Sequence, residues 1–262
     1  MYAVAELSRG AIAMVLIFCA FRAEFAPLHA RLDAVRALGL ESVKGCYGKL
    51  GEVPVLLAES GIGMRRARAT ARRLFDHARD IDLALLTGVA GALAAPLKIG
   101  DVVLADRVMA RANDGFRPEM TIETPRDQYA RAAAALDAAG IAYTRGAILT
   151  SKFAIATSVE KRLAAHQSGA VAVDMETAAI AIEAEERGVP FIAMRTIMDT
   201  VDHDLVGAQF ANPDGTIRFG KAAASLLTHP TTVIGVIRLL RNLRRAADAM
   251  AQAVAQTVAR MR

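Results

Sequence analysis

The stretch Val171–Asp199, VAVDMETAAIAIEAEERGVPFIAMRTIMD, restricts the architectures open to this chain. Two short apolar runs, VAV and VPFIAM, flank ETAAIAIEAEERG, which has a helical pattern and closes at Gly188. A strand, a helix and a second strand in that order suit parallel neighbours with the helix crossing one face of the sheet. The alternation extends over most of the chain. MVLIFCAF reads as a buried strand. GCYGKLGEVPVLLAE reads as a hairpin with its turn at Gly48 to Gly51, and MRRARATARRLFDHA as a helix opening after Gly61-Ile62-Gly63. LALLTGVAG, IGDVVLADRVM and AYTRGAILTS read as strands; TPRDQYARAAAALDAAG, ending at Gly140, and TSVEKRLAAHQ read as helices. EFAPLHARLDAVRAL reads as one helix. This pattern predicts a single α/β domain: a central mixed, mostly parallel sheet flanked by helices in a three-layer sandwich. With 262 residues, 54% of them hydrophobic, the chain can bury one large core without needing a second domain.

Two segments fall outside the alternation. AIAMVLIFCAF, Ala11 to Phe21, is shorter than the ~20 residues of a membrane span. Its length also fits the apolar core of a signal peptide. The preferred reading is a first buried strand preceded by a dispensable leader, residues 1–13, with Met14 as an alternative start. Beyond Asp199 lies a long loop carrying an Asn212-Pro213-Asp214-Gly215 turn, then a short helix from Lys221 to Leu227. A long last helix starts near Thr231, after Pro230. The expected layout is therefore a leader (1–13), a catalytic unit (14–229) and a basic amphipathic helix (230–262) of the same domain.

The net charge is +5, and no stretch interleaves basic with aromatic residues, so a nucleic-acid partner is not expected. Cys19 and Cys46 lack metal or redox spacing, which fits a reduced cytoplasmic setting with no metal and no organic cofactor.

Acidic residues stand where core strands stop. Glu24 follows the first apolar run, Asp174 and Glu176 follow VAV, and Asp199 closes VPFIAMRTIM. In open α/β sheets, ligands sit beyond the carboxyl ends of the strands. If the strands are neighbours, Glu24, Glu176 and Asp199 can share one cleft. The competing explanation is local: acids at a helix start complement its dipole.

These residues also carry a family resemblance. CAFRAEFAPL, GKLGEVPVLLAESGIGMRRA, LLTGVAGALAAPLKIGDVVLAD, VAVDMETAAIA and VPFIAMRTIMDTVD occur in an order that resembles the nucleoside phosphorylase and nucleosidase superfamily. The methylthioadenosine/S-adenosylhomocysteine nucleosidase branch is the most similar. The resemblance implies cleavage of a purine N-glycosidic bond, with Asp199 as acid or donor at N7 of the base and Glu24 orienting and deprotonating a water. It implies that Glu176 accepts bonds from ribose hydroxyls, that Met175 packs on the sugar, and that Phe153 and Ile155 lie against the base, with Val89, Ala90 and Gly91 beside them. Phe153 and Met175 also read as ordinary core residues. Met198 replaces the family's Ser before the catalytic Asp, and Val89 replaces the Ser of its TGSAG segment.

Water and phosphate remain alternative nucleophiles at this level. Gly61 and Gly63 can offer backbone N–H groups to an anion, and Arg22 is similar to a phosphate-binding Arg of hexameric phosphorylases. The second such Arg is missing: Leu85 and Leu86 stand there, which favours hydrolysis. A narrower likeness rests on EKRLAAHQSGAVAVDME, the PDG turn and the basic last helix. It is to the hopanoid-biosynthesis-associated phosphorylases, and it implies an adenosyl-hopane lipid as substrate. The alternative substrates are soluble methylthioadenosine or S-adenosylhomocysteine; a non-catalytic nucleoside-binding protein is the other class. Family members are commonly oligomers, so a homo-oligomer is expected. In the last helix, Val233, Ile237, Leu240, Leu243, Ala247, Met250, Val254, Val258 and Met261 recur at helical spacing, and Arg238, Arg241, Arg244 and Arg245 cluster. Such a helix packs on the protein or a partner copy, or else lies peripherally on the anionic inner membrane.

Overall fold

The computed structural model describes residues 14–78, 80–111, 115–204 and 230–261, and the side chains of the last segment from 235 on. The expected leader, the PDG turn and the short helix at 221–227 lie outside the described residues.

Among the described residues, ten strands form one mixed sheet. β1 (Val15–Cys19) is buried along its whole length, as an unbroken apolar run requires. It lies between β4 (Val53–Glu59) and β5 (Leu83–Ala92), parallel to both. β5 also pairs in parallel with β10 (Phe191–Asp199) and antiparallel with β9 (Ala172–Asp174). β10 continues to β6 (Val102–Arg111), β6 to β8 (Tyr143–Thr150), and β8 to β9. The pairings β5–β10–β6–β8–β9–β5 thus close a ring. From it, β1, β4, β3 (Gly45–Leu50) and β2 (Asp33–Ala37) extend as a wing, while β7 (Pro118–Glu123) hangs on β6.

Helices cover both faces. α2 (Met64–His77) and α5 (Thr177–Glu186) pack together over one, burying Leu74, Phe75, Ala178 and Ala181 in a core with Leu16, Phe18 and Leu86. α1 (Arg22–His29), α3 (Arg126–Ala138) and the long α6 (Pro230–Arg260) cover the other. There Phe25, Leu28, Leu136, Met250, Val254 and Val258 meet Ile17, Leu57 and Met194. Each such fully buried side chain contributes about 1.5–3 kcal/mol of transfer free energy. α4 (Ser158–Ser168) packs Ala164 into a third, smaller core with Leu149 and Val173. The α/β sandwich and the strand reading of the first apolar run therefore hold.

Four expectations are corrected. Pairings divide evenly, five parallel and five antiparallel, so the parallel character is confined to particular neighbours. β9 and β10 are not parallel neighbours: the three-residue β9 pairs antiparallel with the last residues of β5 and parallel with β8, while β10 runs parallel along β5. EFAPLHARLDAVRAL is not one helix, because α1 ends at His29 and DAVRA becomes the edge strand β2. β2 is exposed throughout and is held by backbone pairing with β3, so no apolar period marks it. The hairpin turn falls at Gly51–Glu52, with Gly51 at φ 59°, while Gly48 lies within β3 opposite Val55.

Candidate active site

At the carboxyl ends of β1, β5 and β10 the sheet opens into a cleft of about 630 Å³, part of it open to solvent. Glu24, Val89, Ala90, Gly91, Phe153, Ile155, Met175, Glu176 and Asp199 all line it, joined by Phe21, Ile62 and Met198. Each acid arrives from a different element. β1 leads into α1, whose first turn carries Glu24. β10 ends on Asp199. β9 enters antiparallel to β5 and turns into α5 at Glu176.

Glu24 is 1% exposed. Its Oε2 accepts from the Ala20 N–H at 2.6 Å and its Oε1 from the Val89 N–H at 2.8 Å. Burial pushes its carboxyl above the usual range, while the Arg195 guanidinium and these N–H groups pull the other way. Glu176 Oε1 accepts from the Gly63 N–H at 2.7 Å, which ties the turn before α2 to the start of α5. Burial, reinforced by the neighbouring Asp174 charge and opposed by Arg195, pushes Glu176 up to about 8. Burial also raises Asp199, and Lys161 opposes that shift.

Beneath these acids lies an ion pair that the motifs do not announce. Arg195 and Asp174 are both fully buried and meet at 2.5 Å. Arg195 also donates to the Thr87 carbonyl at 2.9 Å and to the Thr177 hydroxyl at 3.0 Å through Nε. Asp174 Oδ2 accepts in addition from the Thr177 N–H at 3.0 Å, and its Oδ1 from the Thr150 hydroxyl at 2.7 Å. The pair fixes the β9–α5 junction from which Glu176 projects. A charged Arg in the middle of the apolar VPFIAMRTIM was the available signal. Lys161 gave none, since a Lys in a polar helical stretch reads as solvated; the fold buries it completely against Asp199.

Two glycines make the site possible. Gly88 has φ 149°, and a Cβ there would overlap Arg195 Nη1 and sit 2.8 Å from Glu24 Oε1. A Cβ on Gly91 would stand 3.2 Å from Asp199 Oδ2. The candidates for phosphate are dispersed. Arg22 lies over the Phe25 ring and lines a separate groove with His29 and Lys44. The N–H of Gly63 is taken by Glu176, and Gly61, whose N–H donates to the Ala20 carbonyl, does not line the cleft.

The cleft combines the carboxyls of Glu24, Asp174, Glu176 and Asp199 with apolar walls. That suits a neutral ligand with a flat apolar part and a polyhydroxyl part. Among the described residues, no helix is long and apolar enough to cross a membrane.

Residues 14–229 match the family model of the phosphorylase superfamily. Among solved structures, the S-adenosylhomocysteine nucleosidase of Streptococcus pyogenes, bound to 5-methylthiotubericidin, aligns with a TM-score of 0.76 at 22% identity, covering 97% of this chain and 98% of that one. The 5'-methylthioadenosine/S-adenosyl homocysteine nucleosidase of Helicobacter pylori aligns at 0.74 and 22%, covering 95% and 98%. The futalosine hydrolase of the same organism aligns at 0.74 and 22%, covering 94% and 97%.

Proposed function

Since the chain belongs to the phosphorylase superfamily, we propose that it cleaves the N-glycosidic bond of an adenine nucleoside. The observation that supports this most is the meeting of Glu24, Glu176 and Asp199 in one apolar-walled cleft. As the C1'–N9 bond breaks, its electron pair moves onto the purine, and Asp199 donates a proton or hydrogen bond at N7. Ile155, Phe153 and Met198 hold the base, and Met175 packs on the sugar. Glu176 meets the ribose hydroxyls. Glu24, fixed by two backbone N–H groups, takes the proton from the attacking water as positive charge on the sugar collapses. The nucleosidases of similar fold are described with adenosine-like ligands, which agrees with this reading.

The direct test is adenine release from methylthioadenosine, measured with and without phosphate. Phosphate-independent release is expected, with loss of at least 10²-fold in Asp199→Asn. A fully active Asp199→Asn enzyme would refute the assignment. Phosphate-dependent formation of a ribose 1-phosphate would favour the second reading, phosphorolysis.

For the substrate class, we favour a lipid-borne nucleoside such as adenosyl-hopane over a soluble one. The support is the first half of α6, where Ile237 and Leu240 are 60% and 59% exposed beside exposed Arg238, Arg241, Arg244 and Arg245. Such a face suits an anionic bilayer surface. Co-sedimentation with anionic vesicles should be strong for the wild-type chain and weak for a full-length variant with Ile237→Asp, Leu240→Asp, Arg238→Glu and Arg241→Glu, which changes only exposed positions and leaves the core half of α6 intact. Equal binding by both would remove the membrane role.

A further inference from the structure

Asp199 is not free in its cleft. Lys161 reaches it from the second turn of α4, a helix held in place by a capping box between Thr157 and Glu160. The Lys161 ammonium is 0% exposed and spends its three donors on three acceptors: Asp199 Oδ2, the Thr200 carbonyl at 2.9 Å and the His203 carbonyl at 2.8 Å. Asp199 Oδ1 makes no hydrogen bond to any described residue. Burying an aliphatic stem and its charge so fully is costly unless the charge is paired, and among the described residues its anionic partner is Asp199, which lines the cleft.

We propose that Lys161 is a positioning residue for the cleavage reaction: it pins one oxygen of Asp199 so that the other meets the leaving base, and its positive charge sets how strong an acid Asp199 is. This rests on the nucleosidase reading. In the step itself, the Asp199 carboxyl proton moves from Oδ1 to N7 while the C1'–N9 electron pair enters the purine. The carboxylate left behind is stabilised by the Lys161 ammonium. Water adds to C1' and loses its proton to Glu24, and solvent then reprotonates Asp199 and deprotonates Glu24. Without Lys161 the buried carboxyl would hold its proton too tightly to release it as the bond breaks.

Other charged groups around Asp199 are engaged elsewhere or share its cleft. His203 bonds to the Thr200 hydroxyl through Nδ1, and Asp204 caps α4 through the Ser158 N–H. Arg162 pairs with Asp202. Arg238 of α6 lines a neighbouring groove that reaches Asp199. Glu24, Asp174 and Glu176 line the same cleft, and Arg195 is paired with Asp174. Lys161 is therefore the group whose removal should move the Asp199 titration.

The test is the pH profile of kcat/KM for adenine release in wild type, Lys161→Met, Lys161→Gln and Lys161→Arg, with folding checked by thermal melts. The alkaline limb, which reports deprotonation of the acid, should move up by about 1–2 pH units in the two neutral variants and stay near wild type in Lys161→Arg. Gln keeps hydrogen-bond donors without charge, so either neutral variant that folds reads the limb. A purely structural Lys161 would lower the rate and leave the limb where it was; that result overturns the proposal. A parallel ¹³C-carboxyl NMR titration of Asp199, assigned by its loss in Asp199→Asn, should show the same upward move in the neutral variants. An unmoved Asp199 midpoint rejects the inference even if no nucleoside turns over. A wild-type enzyme inactive on adenine nucleosides, with the NMR shift present, would instead sink the nucleosidase reading and leave the Lys161–Asp199 coupling standing.

Discussion

Asp174→Asn tests whether the buried ion pair under the site is the element that holds the site together. Asp174 accepts from Arg195, from the Thr177 N–H and hydroxyl, and from the Thr150 hydroxyl. An Asn in the same pose can keep its oxygen toward Arg195 and Thr177. Its amide group then faces the Thr150 hydroxyl, whose oxygen also accepts from the Ala178 N–H at 2.9 Å. The geometry is thus tolerable, and the loss is the charge. Breaking a buried pair outright costs about 3–5 kcal/mol. Arg195 retains the Thr87 carbonyl and the Thr177 hydroxyl, so a loss of roughly 2–3 kcal/mol is expected for Asn. Asp174→Ala strands Arg195 and Thr177 as well and should reach the full range. Urea denaturation at pH 7 measures both, and a double-mutant cycle with Arg195→Met should return a coupling of at least ~2 kcal/mol. Asp174→Asn should also let Glu176 ionise at lower pH, since the Asp174 charge is the largest electrostatic contribution raising it after burial. Stability within ~0.5 kcal/mol of wild type, the usual scatter for surface changes, would show that the pair does not organise the site.

Three further outcomes follow from the same geometry. Glu176 ionises at about 8 rather than 4.5, so its folded pKa is raised; the stability it contributes is complete below 4.5 and is lost as pH rises through about 8. Glu176→Gln lacks that loss, and thermal melts at pH 9 should show it more stable than wild type by on the order of 1–3 kcal/mol. Glu183 shows the opposite sign: burial acts to raise it, but hydrogen bonds from Arg72, Arg68 and Arg187 outweigh burial and bring it to about 2. Its contribution is present above 4.5 and lost as pH falls through about 2, so Glu183→Gln should destabilise the α2–α5 contact by about 1–3 kcal/mol at pH 7, with the gap to wild type narrowing in acid denaturation profiles. Gly88→Ala forces a Cβ into Arg195 and Glu24, and steady-state kinetics should show kcat/KM down by at least ~10²-fold from misplacement of those groups.

The sequence by itself determined the layers and most of the elements that carry the cleft-lining residues. Unbroken apolar runs such as Val15–Cys19 suit strands buried on both faces, and Glu24, Glu176 and Asp199 stand at or just past the ends of such runs, where the chain leaves the sheet. That local logic is legible because it depends on neighbours along the chain. The tertiary structure alone decided direction and pairing. β9 is too short for any periodicity to reveal that it meets β5 antiparallel, and β2 pairs through backbone groups that every residue possesses. It also decided which charges are buried together. Arg195 with Asp174, and Lys161 with Asp199, are joined across 21 and 38 positions of sequence (195 − 174 and 199 − 161). The strength of a charge pair depends on distance and on exclusion of water, and a sequence lists neither.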